Sequence, residues 1–184
     1  MDCTLVLDGW QADSAFTVGV GKISPEAMRL IIATEECFWE AARQCVSGNR
    51  LGDIGHAVEA HAAAYGYAPV RDYTGHGIGR DMHEDPSVFN FGEPGRGLRL
   101  RPGMTIAVEP MIVQGSWKLD SDPDGWTVRT RDHKLCSHYE HTIAINETGY
   151  PDILTLPGFD WETTPVNAGG YPRISCLADT PEGE

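Results

Sequence analysis

At 184 residues, with 41% apolar and 22% charged side chains, the chain has the composition of one soluble globular domain with a proper core and not of a disordered protein. Its net charge of -13 argues against a nucleic-acid surface, which needs clustered Lys and Arg, and suits a protein that binds cations. Five scattered cysteines without a CxxC pair point to a reducing, cytoplasmic setting, and no apolar run approaches the ~18 residues of a membrane span.

Cys3 to Leu7 reads as a strand, Asp8-Gly9 as a tight turn, and Trp10 to Val20 as the returning strand of a hairpin. With Asp8 and Gly9 as the two turn residues, Leu7 faces Trp10 and Asp2 faces Ala15. Asp13 then lies two residues along on the same face, diagonal to Asp2. Two aspartates on one strand face repel each other and suit strands poorly, an objection that a cation between them removes. Ser24-Pro25-Glu26 is an N-cap with proline at the first helical position, and Met28, Ile31, Ile32, Phe38 and Ala42 continue at helical spacing toward Gly48. Ile54, Val58 and Ala62 predict a second helix from about Leu51 to Tyr65, with Gly66 as its stop.

From residue 67 the pattern changes to loops and strands, clearest over Thr105 to Val113, Trp126 to Thr130 and His138 to Ile145. The run Gly75-His76-Gly77-Ile78-Gly79-Arg80-Asp81-Met82-His83-Glu84-Asp85-Pro86 sets two histidines among glycines and carboxylates. The glycines are expected to allow positive φ and close approach of the backbone to a bound ion or substrate, and His76 and His83 offer imidazole nitrogens as ligands or hydrogen-bond donors. Residues 156–184, with several prolines and an acidic end at Asp179 to Glu184, read as an irregular tail after a domain spanning 1–155.

Asp2, Asp13, His76, Glu109 and Glu140 lie in strand-like or Gly-rich segments far apart in sequence. Gathered together they make four carboxylates and one imidazole, an oxygen-rich donor set that suits Mn, Co, Fe(II) or Zn. Four negative ligands match two divalent ions, which side by side would activate a water and polarise a carbonyl. The reaction class this implies is hydrolysis.

The Asp-hairpin-Asp opening, Gly75 to Pro86, Arg101-Pro-Gly-Met, Val108-Glu-Pro-Met, Asp124-Gly-Trp-Thr-Val and Tyr139-Glu-His-Thr occur in an order and approximate spacing that resemble the type I methionine aminopeptidases. The resemblance covers about residues 1 to 155. It implies an α+β fold, part of a pita-bread fold, with a curved, mostly antiparallel sheet covered by helices on its outer face. It further implies that Asp2, Asp13, His76, Glu109 and Glu140 hold two divalent metals, Asp13 and Glu140 bridging. His83 would hydrogen-bond the substrate near the scissile amide, Glu109 would also serve as the base, and Trp126 and Met82 would border the methionine pocket. The substrate class would be nascent peptides carrying an N-terminal methionine. The short stretch between His83 and Glu109 leaves no room for the helical insertion of a type II enzyme.

The chain departs from that family in beginning at the metal-site hairpin. The segment that normally precedes it, with a further active-site histidine, is expected to be missing. Uncovered apolar surface would then favour self-association, and Asp2 would lie on a fraying terminus and bind its metal weakly. A weak or silent fragment acting as a binding module on the same scaffold is therefore the alternative to an active enzyme. A proline-directed peptidase of this fold is a third reading, which the residues from His76 to His83 and the Tyr139-Glu-His-Thr strand disfavour.

Overall fold

A computed structural model describes residues 1–172 of the chain. It opens with β1 (Asp2–Leu7) and β2 (Trp10–Ala15), whose turn residues Asp8 and Gly9 both take positive φ, as the tight turn of a right-twisted hairpin requires. The register follows the turn: Leu7 pairs with Trp10, Thr4 with Asp13 and Asp2 with Ala15. Met1 and Phe16 extend the ladder by two backbone bonds of 2.8 and 2.9 Å, so that Asp2 lies inside the paired part of the hairpin. β2 ends at Ala15, short of the expected Val20. Thr17 turns aside there to bond the backbone of His138.

Helix α1 (Pro25–Gln44) starts as its sequence dictates, with the Ser24 hydroxyl accepting from the Ala27 N–H and proline in the first turn. Helix α2 (Leu51–Ala64) stops at Tyr65, and Gly66 supplies the positive φ beyond it. The remaining strands are β3 (Ala68–Pro69), β4 (Gly75–Gly77), β5 (Glu84–Val88), β6 (Thr105–Val108), β7 (Met111–Val113), β8 (Leu119–Ser121), β9 (Val128–Thr130), β10 (Cys136–His138), β11 (Glu140–Ala144) and β12 (Asp152–Ile153). The main sheet runs β1-β2-β11-β6-β4-β5, with β12 also on β11. β10-β7-β3 form a second sheet and β8-β9 a separate hairpin, and every pairing is antiparallel. The sequence reading of an α+β chain with a mostly antiparallel sheet holds.

The helices cover one side of these sheets, α1 against β10, β7 and β6 and α2 against β3 and β5. Strand alternation then sorts side chains by face. Tyr139, His141 and Ile143, with Ile106 and Val108, belong to the helix side, where Phe38 packs edge-on or tilted against Trp39, Tyr139 and His141 at centroid distances of 4.9 to 5.3 Å. Burying each such aromatic contributes about 1.5–3 kcal/mol. The intervening residues Glu140 and Glu109 are left for the opposite face.

Residues 156–172 carry turns and one isolated bridge, Val166 to Pro172, and no longer strand or helix. They are packed all the same: Leu156, Phe159, Trp161 and Tyr171 lie on the core, with Phe159 and Trp161 against Trp39 at 5.1 and 5.8 Å. The acidic end from Asp179 to Glu184 lies outside the described residues. On the opposite edge, the β1–β2 hairpin presents Leu5, Val6, Leu7 and Trp10 to solvent.

Candidate metal centre

Asp13 stands on β2 and is buried, its backbone tied to β11 by Thr142, whose hydroxyl both accepts from the Asp13 N–H and donates to its carbonyl at 2.9 Å. Asp2, on the neighbouring strand, is exposed. His76 sits in the middle of β4 between Gly75 and Gly77, all three buried. The glycines there do not take positive φ, contrary to the sequence expectation. They are needed because a Cβ at Gly75 would strike the Ala107 carbonyl of β6 and one at Gly77 the Asp85 carbonyl of β5. That close approach presses β4 against both neighbours and sets the His76 backbone.

The His76 ring is then oriented from behind. Its Nδ1 lies 2.9 Å from the Gly77 carbonyl, so the tautomer that donates there leaves the Nε2 lone pair free, the usual preparation of a ligand histidine. Nε2 is 3.5 Å from Glu109 Oε1, and the rim of the Glu109 loop is held by Asn90 donating to the Glu109 carbonyl. His83 is exposed and its ring stands edge-on to His76 at 4.4 Å, beside the cluster.

Two overlapping groups of ligand atoms result. Asp13, His76 and Glu140 bring one such atom each to within 4.8 Å of one another, and Asp2, His138 and Glu140 do the same. Glu109 joins both through His76 and through His138, whose Nε2 is 3.6 Å from Glu109 Oε2. All five ligand positions expected from the sequence therefore lie in one cluster. His138 was not among them. The signal that could have found it is its place two residues before Glu140, which puts both side chains on one face of nearly continuous strand.

The electrostatics of this cluster call for cations. Burial pushes the Glu140 carboxyl up to about 9, with Glu109, Asp13 and Asp2 adding repulsion; Glu109 rises to about 8 through burial and the charges of Asp13 and Asp2. Burial moves His138 the other way, lowering its affinity for a proton. Asp13 Oδ1, Glu140 Oε1 and His138 Nε2 are buried without a hydrogen-bond partner. Each such atom costs about 1–3 kcal/mol if nothing meets it, and oxygen with imidazole is the donor set of a divalent transition ion. The residues fit metal.

The two pocket residues expected from the sequence stand differently. Met82 is half-buried and its sulfur accepts from the Thr4 hydroxyl of β1 at 3.9 Å. Trp126 lies in the β8–β9 turn, its N–H bonded to Asp124 and its side chain 88% exposed, and it belongs to none of the ring contacts described.

Metallopeptidase family M24 matches residues 1–147 of the chain. A methionine aminopeptidase of Clostridium acetobutylicum is 48% identical over 156 residues, which cover 85% of this chain and 62% of that relative. Methionine aminopeptidase 1 of Bacillus subtilis is 44% identical over 84% of this chain and 62% of its own length. Among solved structures, the methionine aminopeptidase of Rickettsia prowazekii superposes with a TM-score of 0.82 at 44% identity, over 84% of this chain and 62% of that one. The chain thus spans less than two thirds of the length of the relatives it matches. Among the described residues, no helix is long and apolar enough to cross a membrane.

Proposed function

The chain belongs to metallopeptidase family M24, and from that premise we propose that it is an aminopeptidase that hydrolyses the peptide bond after the N-terminal methionine of nascent proteins, in the cytoplasm. Asp2, Asp13, His76, Glu109 and Glu140 would hold two divalent cations, drawn from Co, Mn, Fe(II) or Zn, with Asp13 and Glu140 the residues expected to be shared. Cations held there would supply Lewis acidity toward the scissile carbonyl and acidify a water molecule.

The remaining chemistry falls to the chain's own groups. Glu109 faces the cluster with both carboxylate oxygens, Oε1 3.5 Å from His76 Nε2 and Oε2 3.6 Å from His138 Nε2, and with cations bound it is the ionised base. It takes the proton of the attacking water and passes it to the departing amine nitrogen, so that the C–N bond breaks with a neutral leaving group. His83, exposed next to His76, donates to the scissile amide as charge develops on it. Met82 and Trp126 border the methionine side chain.

The observation that carries this reading is the convergence of the five residues on one cluster, in which Asp13 Oδ1 and Glu140 Oε1 are buried without hydrogen-bond partners. Its test is hydrolysis of a Met-Ala-Ser peptide with Mn or Co added, comparing the chain with Glu140→Ala. Turnover lost in the variant supports the enzyme. Equal rates in both would contradict it and favour a binding module on this scaffold.

A further inference from the structure

We propose that His138 is a sixth metal ligand, so that each of the two cation positions carries one imidazole, with Asp13 and Glu140 common to both. The inference rests on the dinuclear metal reading above and adds to it a donor that turns a one-histidine site into a two-histidine site.

Three observations carry it. First, the ligand atoms fall into two parallel sets, Asp13 with His76 and Glu140, and Asp2 with His138 and Glu140. Secondly, His138 Nε2 is buried, has no hydrogen-bond partner, and faces Glu109 Oε2 at 3.6 Å and Glu140 Oε2 at 3.8 Å. These separations are too long for hydrogen bonds. They match donors arranged about a common ion, since two ligand atoms each about 2.0–2.2 Å from a metal lie roughly 3 to 4 Å apart. His76 Nε2, at 3.5 Å from Glu109 Oε1, has the same spacing. Thirdly, the His138 backbone is clamped: its N–H donates to Thr17 Oγ1 at 3.1 Å, and that hydroxyl donates to the His138 carbonyl at 2.9 Å. A residue fixed on both backbone groups, with a nitrogen that lacks a hydrogen bond aimed at the Glu109 and Glu140 carboxylates, is preorganised for an ion.

The second imidazole should bias the site. Nitrogen donors favour cobalt, zinc and iron over manganese, which prefers oxygen. A histidine that only hydrogen-bonds the carboxylates would affect both ions alike.

The experiment titrates the metal-free chain and His138→Gln with Co(II) and with Mn(II) by calorimetry, and records proton NMR of the cobalt-loaded proteins. In the wild type, two sets of cobalt-shifted imidazole ring protons are expected, and one set in the variant. One cobalt equivalent should weaken at least ~10-fold in the variant, with a smaller loss for manganese. A wild-type spectrum with a single shifted ring, or equal losses for the two ions, would overturn the ligand role; the single-ring result needs no variant and so does not depend on its folding. A wild type that binds no cobalt would instead overturn the underlying metal reading.

Discussion

Two buried glutamates in this molecule have opposite fates. Glu36, on α1 and 8% exposed, receives the Tyr65 hydroxyl at 2.6 Å and lies 3.1 Å from His61 Nε2. Burial alone would raise its carboxyl, but those two hydrogen bonds and the charge of His61 outweigh that and bring it below its ordinary value. Glu140, 2% exposed on β11, has a partnerless Oε1, three acidic neighbours and a carboxyl pushed up to about 9. A buried acid that the fold has already satisfied is structural, whereas one left surrounded by acids is waiting for a cation.

Exchanging the two sites' variants separates them most sharply. Glu140→Ala should lower methionyl-peptide hydrolysis by at least ~10³-fold, the scale on which single transition-state stabilisers act. Glu36→Ala should leave hydrolysis unchanged and cost about 1–3 kcal/mol in urea unfolding, because Tyr65 and His61 lose their acceptor. A comparable loss of activity in both would erase the distinction. His83→Ala is expected to reduce kcat by about two to three orders of magnitude without weakening cobalt binding, since it stands beside the cluster as a donor. Loss of a cobalt equivalent in that variant would make it a ligand instead.

The gentlest test is pH. Glu109 and Glu140 hold protons in the folded, metal-free chain that the unfolded chain has released above about 4.5, so the native state binds more protons and stability falls as pH rises. At pH 6.5 His138 and His141, both lowered by burial, are half-protonated in the unfolded chain and partly offset the trend, but by about pH 7.5 they are neutral in either state and the offset is gone. Thermal unfolding of the metal-free protein should therefore drop between pH 6.5 and 8, and cobalt should cancel the drop. A flat metal-free profile would count against the buried acid cluster.

Much of this was legible in the sequence where local chemistry dominates. The Asp8-Gly9 turn fixes its own register, and with it the diagonal of Asp2 and Asp13; Ser24, Pro25 and Gly66 mark their helix ends. The convergence of Asp2, Asp13, His76, Glu109 and Glu140 came from family resemblance, because no local rule brings the β1–β2 hairpin, β4, the end of β6 and β11 together. The role of the Gly75 and Gly77 pair was misread, since strand crowding by carbonyls of β6 and β5 is a tertiary fact that leaves no trace in turn signals. His138 went unnoticed for a similar reason: its signal was two-residue alternation across the break between β10 and β11. Phe159 and Trp161 lack any periodicity, and their packing on Trp39 could not be read from a proline-rich stretch.

The central claim is that the buried carboxylates exist to hold divalent cations, and calorimetric titration of the metal-free chain with cobalt near pH 7, in two buffers of different ionisation enthalpy, tests it most directly. Because Glu109 and Glu140 keep their protons until a cation replaces them, two equivalents should bind with net release of about one proton or more per chain. Absence of binding, or binding without proton release and undiminished in Glu140→Gln, would contradict it.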